Sequence, residues 1–192
     1  MKLNFGPNNI TDPAKGMILI SEPFLEDPFF KRTVILLCEH NEEGSFGFVL
    51  NNYIEVQIED IVEGMKPLDT KVSIGGPVNN SNLYYIHTLG EEIDGSVEIT
   101  TGVFMGGDFE QLREGIEQGE IDPHQVRFFV GYSGWSANQL SDELDQKSWF
   151  VTQVDQEMIM NTDLDNLWQK TLENFGKKGK IVANIPENPS LN

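Results

Sequence analysis

Apolar residues in this chain come in short runs that glycine, proline or charge cuts off, and this pattern limits the fold more than any other feature. Gly16-Met17-Ile18-Leu19-Ile20 stops at Ser21-Glu22-Pro23, and Val34-Ile35-Leu36-Leu37-Cys38 stops at Glu39. Such runs suit strands buried on both faces and fall far below the roughly 18 residues of a membrane span. Thr33 to Glu39 and Ser45 to Asn51 flank Asn41-Glu42-Glu43-Gly44, which predicts a hairpin. Further strands are expected at Val72 to Ile74, Leu83 to Thr88, Val97 to Phe104, Val126 to Tyr132 and Ser148 to Val154. Phe24 to Arg32, rich in phenylalanine, reads as a compact turn or one helical turn anchored by its rings.

Helical spacing appears between these runs. Ile58, Ile61 and Met65 predict a short helix over Gln57 to Gly64; Phe109, Leu112 and Ile116 predict one behind an Asp108 N-cap. Ser136 and Gln139 form a capping box for a helix through Leu144, and Leu164, Leu167, Trp168, Leu172 and Phe175 form a stripe that Gly176 ends, with Thr162 as its cap. Strands and helices do not alternate in a strict βαβ rhythm, so a doubly wound parallel sheet fits poorly. The expected fold is α+β: a single domain with a mixed, curved β-sheet partly closed into a barrel and flanked by several helices. An irregular arm is expected over 1–15, the domain over 16–176 and a flexible tail over 177–192.

Thirteen Lys and Arg stand against 31 Asp and Glu in 192 residues, a net charge of −18. A nucleic-acid binder neutralises phosphates through a basic patch, so direct DNA or RNA binding is not expected. The acidity reads first as a solvated surface, and a basic partner protein is its sharper alternative. Cys38 is the sole cysteine, which excludes an intrachain disulfide and gives no sign of an oxidising compartment. The N-terminal stretch lacks the apolar core of a signal peptide, so a cytoplasmic, membrane-free protein is expected. Neither a metal nor a cofactor is expected, because zinc wants clusters of thiolate and imidazole. Asn161-x-Asp163-x-Asp165 opens like a calcium loop but lacks its glycine and its final glutamate.

Gly131-Tyr132-Ser133-Gly134-Trp135 is the most enzyme-like stretch, a strand leading through a turn to a helix. It departs from the nucleophile elbow G-x-S-x-G, since Trp135 stands where the second glycine belongs. Ser133 is therefore a weak catalytic candidate, and it requires His40, His87 or His124 to approach in space. Gly75-Gly76-Pro77 and Gly106-Gly107 lie at strand ends and match neither the dinucleotide fingerprint nor the phosphate loop. With Gly131, Ser133, Gly134 and Trp135 they form the candidate ligand-binding set; glycine's use in tight turns is the structural alternative.

Several of these segments together resemble the YqgE/AlgH family of bacterial proteins: Lys15-Gly16-x-x-Leu19-Ile20-Ser21-x-Pro23, Gly47-Phe48-Val49-Leu50-Asn51, Gly75-Gly76-Pro77-Val78, and Gly131 to Trp135 with Gln139-Leu140. The resemblance spans roughly residues 15 to 154. It implies a single-domain protein of the bacterial cytosol with a complex mixed sheet partly closed into a barrel. It supplies no catalytic residue and no cofactor, and the transcriptional-regulator label some members carry implies a regulatory role through a partner. The expected activity is binding of an unidentified protein partner or small ligand, with a Ser133 hydrolase as the alternative.

Overall fold

The computed structural model describes residues 12–186; the arm expected over 1–15 lies mostly outside them. Within them ten strands form one sheet: β1 Ile18–Ser21, β2 Val34–Asn41, β3 Gly44–Val49, β4 Tyr53–Ile54, β5 Val72–Ile74, β6 Val78–His87, β7 Val97–Thr100, β8 Val103–Met105, β9 Val126–Ser136 and β10 Trp149–Thr152. Among the described residues six α-helices accompany them: α1 Ile58–Ile61, α2 Phe109–Gln118, α3 Gln139–Asp145, α4 Gln156–Met160, α5 Leu167–Glu173 and α6 Gly176–Ala183. The strand order is β10-β1-β2-β3-β9-β6-β8-β7, with β5 between β4 and β9. Among the described residues only the β5–β9 pairing is parallel, so the sheet is mixed as expected.

The sheet is curved but not closed, which corrects the barrel expectation. A Cβ on Gly16 would lie 2.8 Å from the Ile99 carbonyl of β7, so the far end of the sheet comes back over the start of β1. Both edges of β1 are already taken by β10 and β2, and the Gly16 amide donates to Leu37 O at 2.8 Å. No edge is left there for β7 to join, and β10 and β7 remain the two ends of the ladder.

Period-two alternation sorts the strand residues into separate cores. Ile18, Ile20, Leu36, Phe48 and Phe129 pack against Ile159, Trp168, Leu172 and Phe175 of the helical layer α4–α6. On the other face, Val72, Val126 and Phe128 pack with Leu112 and Ile116 of α2, while Leu19, Ile35, Trp135 and Trp149 pack with Leu140 of α3. Asp108 caps α2 as expected, accepting from the amides of Glu110 and Gln111 at 2.9 and 3.3 Å. Val97 to Phe104, expected as one strand, folds into β7 and β8 around Gly102, whose φ of +74° suits the turn.

The chain does not lose structure at Gly176, where the sequence pattern ends the domain. Gly176 turns it at φ +72°, and α6 follows, burying Gly179, Val182 and Ala183. A Cβ at Gly179 would sit 1.9 Å from Leu172 O, so glycine there lets α5 and α6 touch backbone to backbone. The expected tail is thus helical through Ala183, and 187–192 lie outside the described residues.

Candidate functional site

The strands around β9 force the chain into a crossover. β5 lies along one edge of β9, from Val72 beside Phe128 to Ile74 beside Val130, whereas β6 begins on the opposite edge with Val78 beside Tyr132. Gly75, Gly76 and Pro77 alone carry the chain across. Gly75 N donates to Val130 O at 2.9 Å, and Gly75 O accepts from Val49 N at 2.9 Å and from Ser133 Oγ at 3.0 Å. A Cβ would lie 2.3 Å from Gly131 O at Gly75 and 2.2 Å from Tyr132 C at Gly76. Gly131, at φ +69°, has the carbonyls of Gly76 and Val78 where its side chain would be. The structure therefore brings Gly75, Gly76, Pro77, Gly131 and Ser133 together as the crossing point of two backbones.

Ser133 is fully buried, and its hydroxyl is spent on Gly75 O. The imidazoles make their bonds elsewhere. His40 Nδ1 meets Ser45 Oγ at 2.6 Å, and His124 is exposed in the turn before β9. His87 is completely buried, with Nε2 3.0 Å from both Gly106 O and Ser96 Oγ. The Ser96–His87 contact, invisible in the sequence because nine residues and a 3-10 turn separate the pair, does not make a nucleophile and base. Leu89 N–H points at Nδ1 from 3.2 Å, so Nδ1 is the acceptor and the proton sits on Nε2, donated toward Gly106 O. Burial pushes the His87 pKa down and keeps this neutral form.

Gly106 and Gly107 belong to that second location. Gly107 O accepts from Tyr85 Oη at 2.8 Å, and a Cβ on Gly107 would lie 2.7 Å from Ser96 Oγ. Tyr85 pairs with Phe128, five residues before Ser133, roughly 16 Å along an extended strand. The candidate ligand residues up to Ser133 thus fall into two places, the crossover and the turn beside His87. Cys38 is buried, its thiol pushed well above its ordinary range by desolvation. Among the described residues no cluster of three or more His, Cys, Asp or Glu is placed to hold a metal, and Asp163 instead pairs with Lys71 at 3.6 Å.

Beyond the crossover, β9 presents Ser133 and Trp135 to one face and Tyr132 and Gly134 to the other. The second face carries an open groove of about 580 Å³, lined by Phe46, Tyr84, Tyr132, Val78 and Gly134 and flanked by Glu39 and Glu43. Its floor is the outer end of a file of rings that starts in the core. Phe129 stacks on Phe48 at 4.6 Å, Phe48 meets Tyr84 at 5.6 Å, and Tyr132 stands edge-on to Phe46 at 5.9 Å and to Tyr84 at 5.7 Å. Among the described residues no Lys, Arg or His lines the groove. Trp135 reaches its wall from the other face and is fixed there: its indole N–H and that of Trp149 both donate to Glu143 Oε2, at 2.9 and 2.7 Å.

Of the groove's lining the sequence offers only Gly134 and Trp135 as candidates, because Phe46, Tyr84 and Tyr132 come from three strands brought together only by pairing. Sequence reasoning also passed over Arg127, although a lone cation inside Val126-Arg127-Phe128-Phe129 is a visible anomaly. Arg127 is fully buried, donating to the carbonyls of Leu50 and Ile159, with its guanidinium 5.6 Å from the centre of the Phe129 ring. Carbonyls rather than a carboxylate accept from its Nη atoms, while Nε is buried without a partner among the described residues, and it ties β9 to the end of β3 and the end of α4.

Fold and site together define a single-domain α+β protein with a mostly antiparallel mixed sheet, a glycine crossover over its central strand and an open aromatic groove beside it. Residues 18–180 match the model of the AlgH-like family, and the chain belongs to that family. A UPF0301 protein of Chlorobium limicola is 42% identical over 177 residues, 92% of this chain and 95% of that one. One of Bacteroides thetaiotaomicron is 39% identical over 186 residues, 96% and 94% of the two chains. Among solved structures, a protein of Corynebacterium diphtheriae superposes with a TM-score of 0.75 over 91% of this chain and 93% of its own, at 23% identity. The AlgH protein of Pseudomonas aeruginosa gives 0.71 over 97% and 98%, also at 23%. At that identity the likeness speaks for the fold alone.

Proposed function

We propose that this protein is a binding module, and that the groove over Phe46, Tyr84 and Tyr132 docks a lysine- or arginine-bearing segment of a partner protein. One observation carries the reading: four aromatic residues, Phe46, Tyr84, Tyr132 and Trp135, and two glutamates line the groove, and among the described residues no cationic side chain does. The faces of aromatic rings attract cations, carboxylates at the rim complement them, and the apolar floor takes the methylene stem of the incoming residue. A net charge of −18 draws such a partner in from a distance. A regulatory role on this reading runs through that partner rather than through contact with DNA.

Titration of a short Lys- and Arg-containing peptide, followed by tryptophan fluorescence because Trp135 lines the groove, tests the reading. Tyr132→Ala is expected to weaken binding about 3- to 30-fold, the span of one cation–π contact, and added salt to weaken it further. Equal binding of a peptide with Glu in place of Lys and Arg, or no effect of Tyr132→Ala, contradicts the reading.

A further inference from the structure

We propose a second site in the helical layer, where the connection between β1 and β2 meets α5 and the end of α6: a pocket that binds the oxyanion head, carboxylate or phosphate, of a small ligand. It shares no residue with the groove and stands independently of the binding reading given there. An open pocket of about 470 Å³ is lined by Arg32, Lys170, Glu173 and the carboxamides of Asn166, Gln169 and Asn184. In a chain with 13 cationic residues against 31 acidic ones, two cations on one pocket run against the general field.

Arg32 is held in place for such a role. Its guanidinium carbon lies 4.7 Å from the centre of the Trp168 ring, and Nη2 donates to Ile185 O at 2.6 Å. Nη1 has no hydrogen-bond partner among the described residues, and Nε is buried without one. The residue sits at φ +52°, a left-handed conformation that side chains seldom adopt, and its backbone carbonyl is fixed by Asn51 Nδ2 at 2.9 Å. Asn166 on the same pocket is left-handed too, at φ +61°. Backbone strain of this kind persists where neighbours over-determine it, and it clusters at ligand sites.

A planar guanidinium with free donors matches the two oxygens of a carboxylate or phosphate, and an exposed Lys170 adds a movable point charge. The carboxamides complete a lining that both donates and accepts. Glu173 sets the polarity of the ligand: it repels a second anionic group, so the oxyanion is the only negative end and a neutral or cationic end faces Glu173.

Heteronuclear NMR of the full chain, titrated with sodium phosphate and separately with sodium acetate against sodium chloride at equal ionic strength, tests the site. The expected result is saturable shifts confined to the amides of Arg32, Asn166, Lys170 and Asn184. Saturation by phosphate alone assigns a phosphate head, and saturation by acetate alone a carboxylate. Lys170→Met is expected to cut the affinity on the order of tenfold, the loss of one charge-assisted contact, with the melting temperature unchanged because Lys170 is exposed. Shifts that chloride reproduces, no saturation with either anion, or unchanged affinity in Lys170→Met overturns the proposal.

Discussion

Three donors converge on Glu143: the indole N–H groups of Trp135 and Trp149 on one oxygen, and Gln139 Nε2 on the other at 3.0 Å. This carboxylate ties α3 to β9 and β10, with Phe30 stacked on Trp135 at 6.3 Å. Glu143→Ala strands two largely buried indole donors, and a loss of about 1–3 kcal/mol is expected in urea unfolding; an unchanged midpoint contradicts the clamp. His87 gives the pH dependence. Its folded pKa lies below the ordinary 6.5 because burial disfavours the charged ring. Above that value the ring is neutral in both states; as pH falls through it the unfolded chain takes up a proton that the folded chain resists, so stability drops. Wild type is expected to lose more stability than His87→Gln between about pH 7 and 5, measured by unfolding at each pH. The capping role of Asp108 was legible in the sequence because a cap acts on the next three residues. Ser133 was not, because its partner Gly75 lies 58 positions away.

At the scale of elements, the glycine crossover is the feature most exposed to test. Gly76→Ala places a methyl group 2.2 Å from the backbone of Tyr132, where no flexible side chain can yield. A loss of about 3 kcal/mol or more is expected by thermal unfolding followed by circular dichroism. Gly64→Ala is the control: nothing lies within 4 Å, so only its left-handed φ of +78° counts, about 1–2 kcal/mol. Similar losses in the two variants contradict the crossing geometry. The hairpin of β2 and β3 and the helix α2 were readable because each is specified by neighbours in the chain. Helix α6 reads as a tail in the sequence because Lys177, Lys178 and Lys180 dominate it, while its buried face is built from Gly179, Val182 and Ala183. Small residues carry little hydrophobic signal, yet they are what two helices in close contact require.

For the whole molecule, charge is the dominant long-range term. Eighteen uncompensated negative charges repel one another in the compact state. Raising sodium chloride from near zero to about 0.15 M, where the screening length is about 8 Å, is expected to raise the melting temperature; a fall contradicts net self-repulsion. No described helix is long and apolar enough to cross a membrane. Sequence alone determined the α+β class, the mixed character of the sheet, most strand and helix positions and the family resemblance, because propensity, alternation and capping are local and act within a few residues. Tertiary structure decided the rest. The ladder stays open because β1 has no free edge; the glycine pairs separate into a crossover beside Ser133 and a turn beside His87; and the aromatic groove exists only once β3, β6 and β9 lie side by side. Each of these depends on which strand edges and faces meet, and residues far apart in the chain carry no local mark of that.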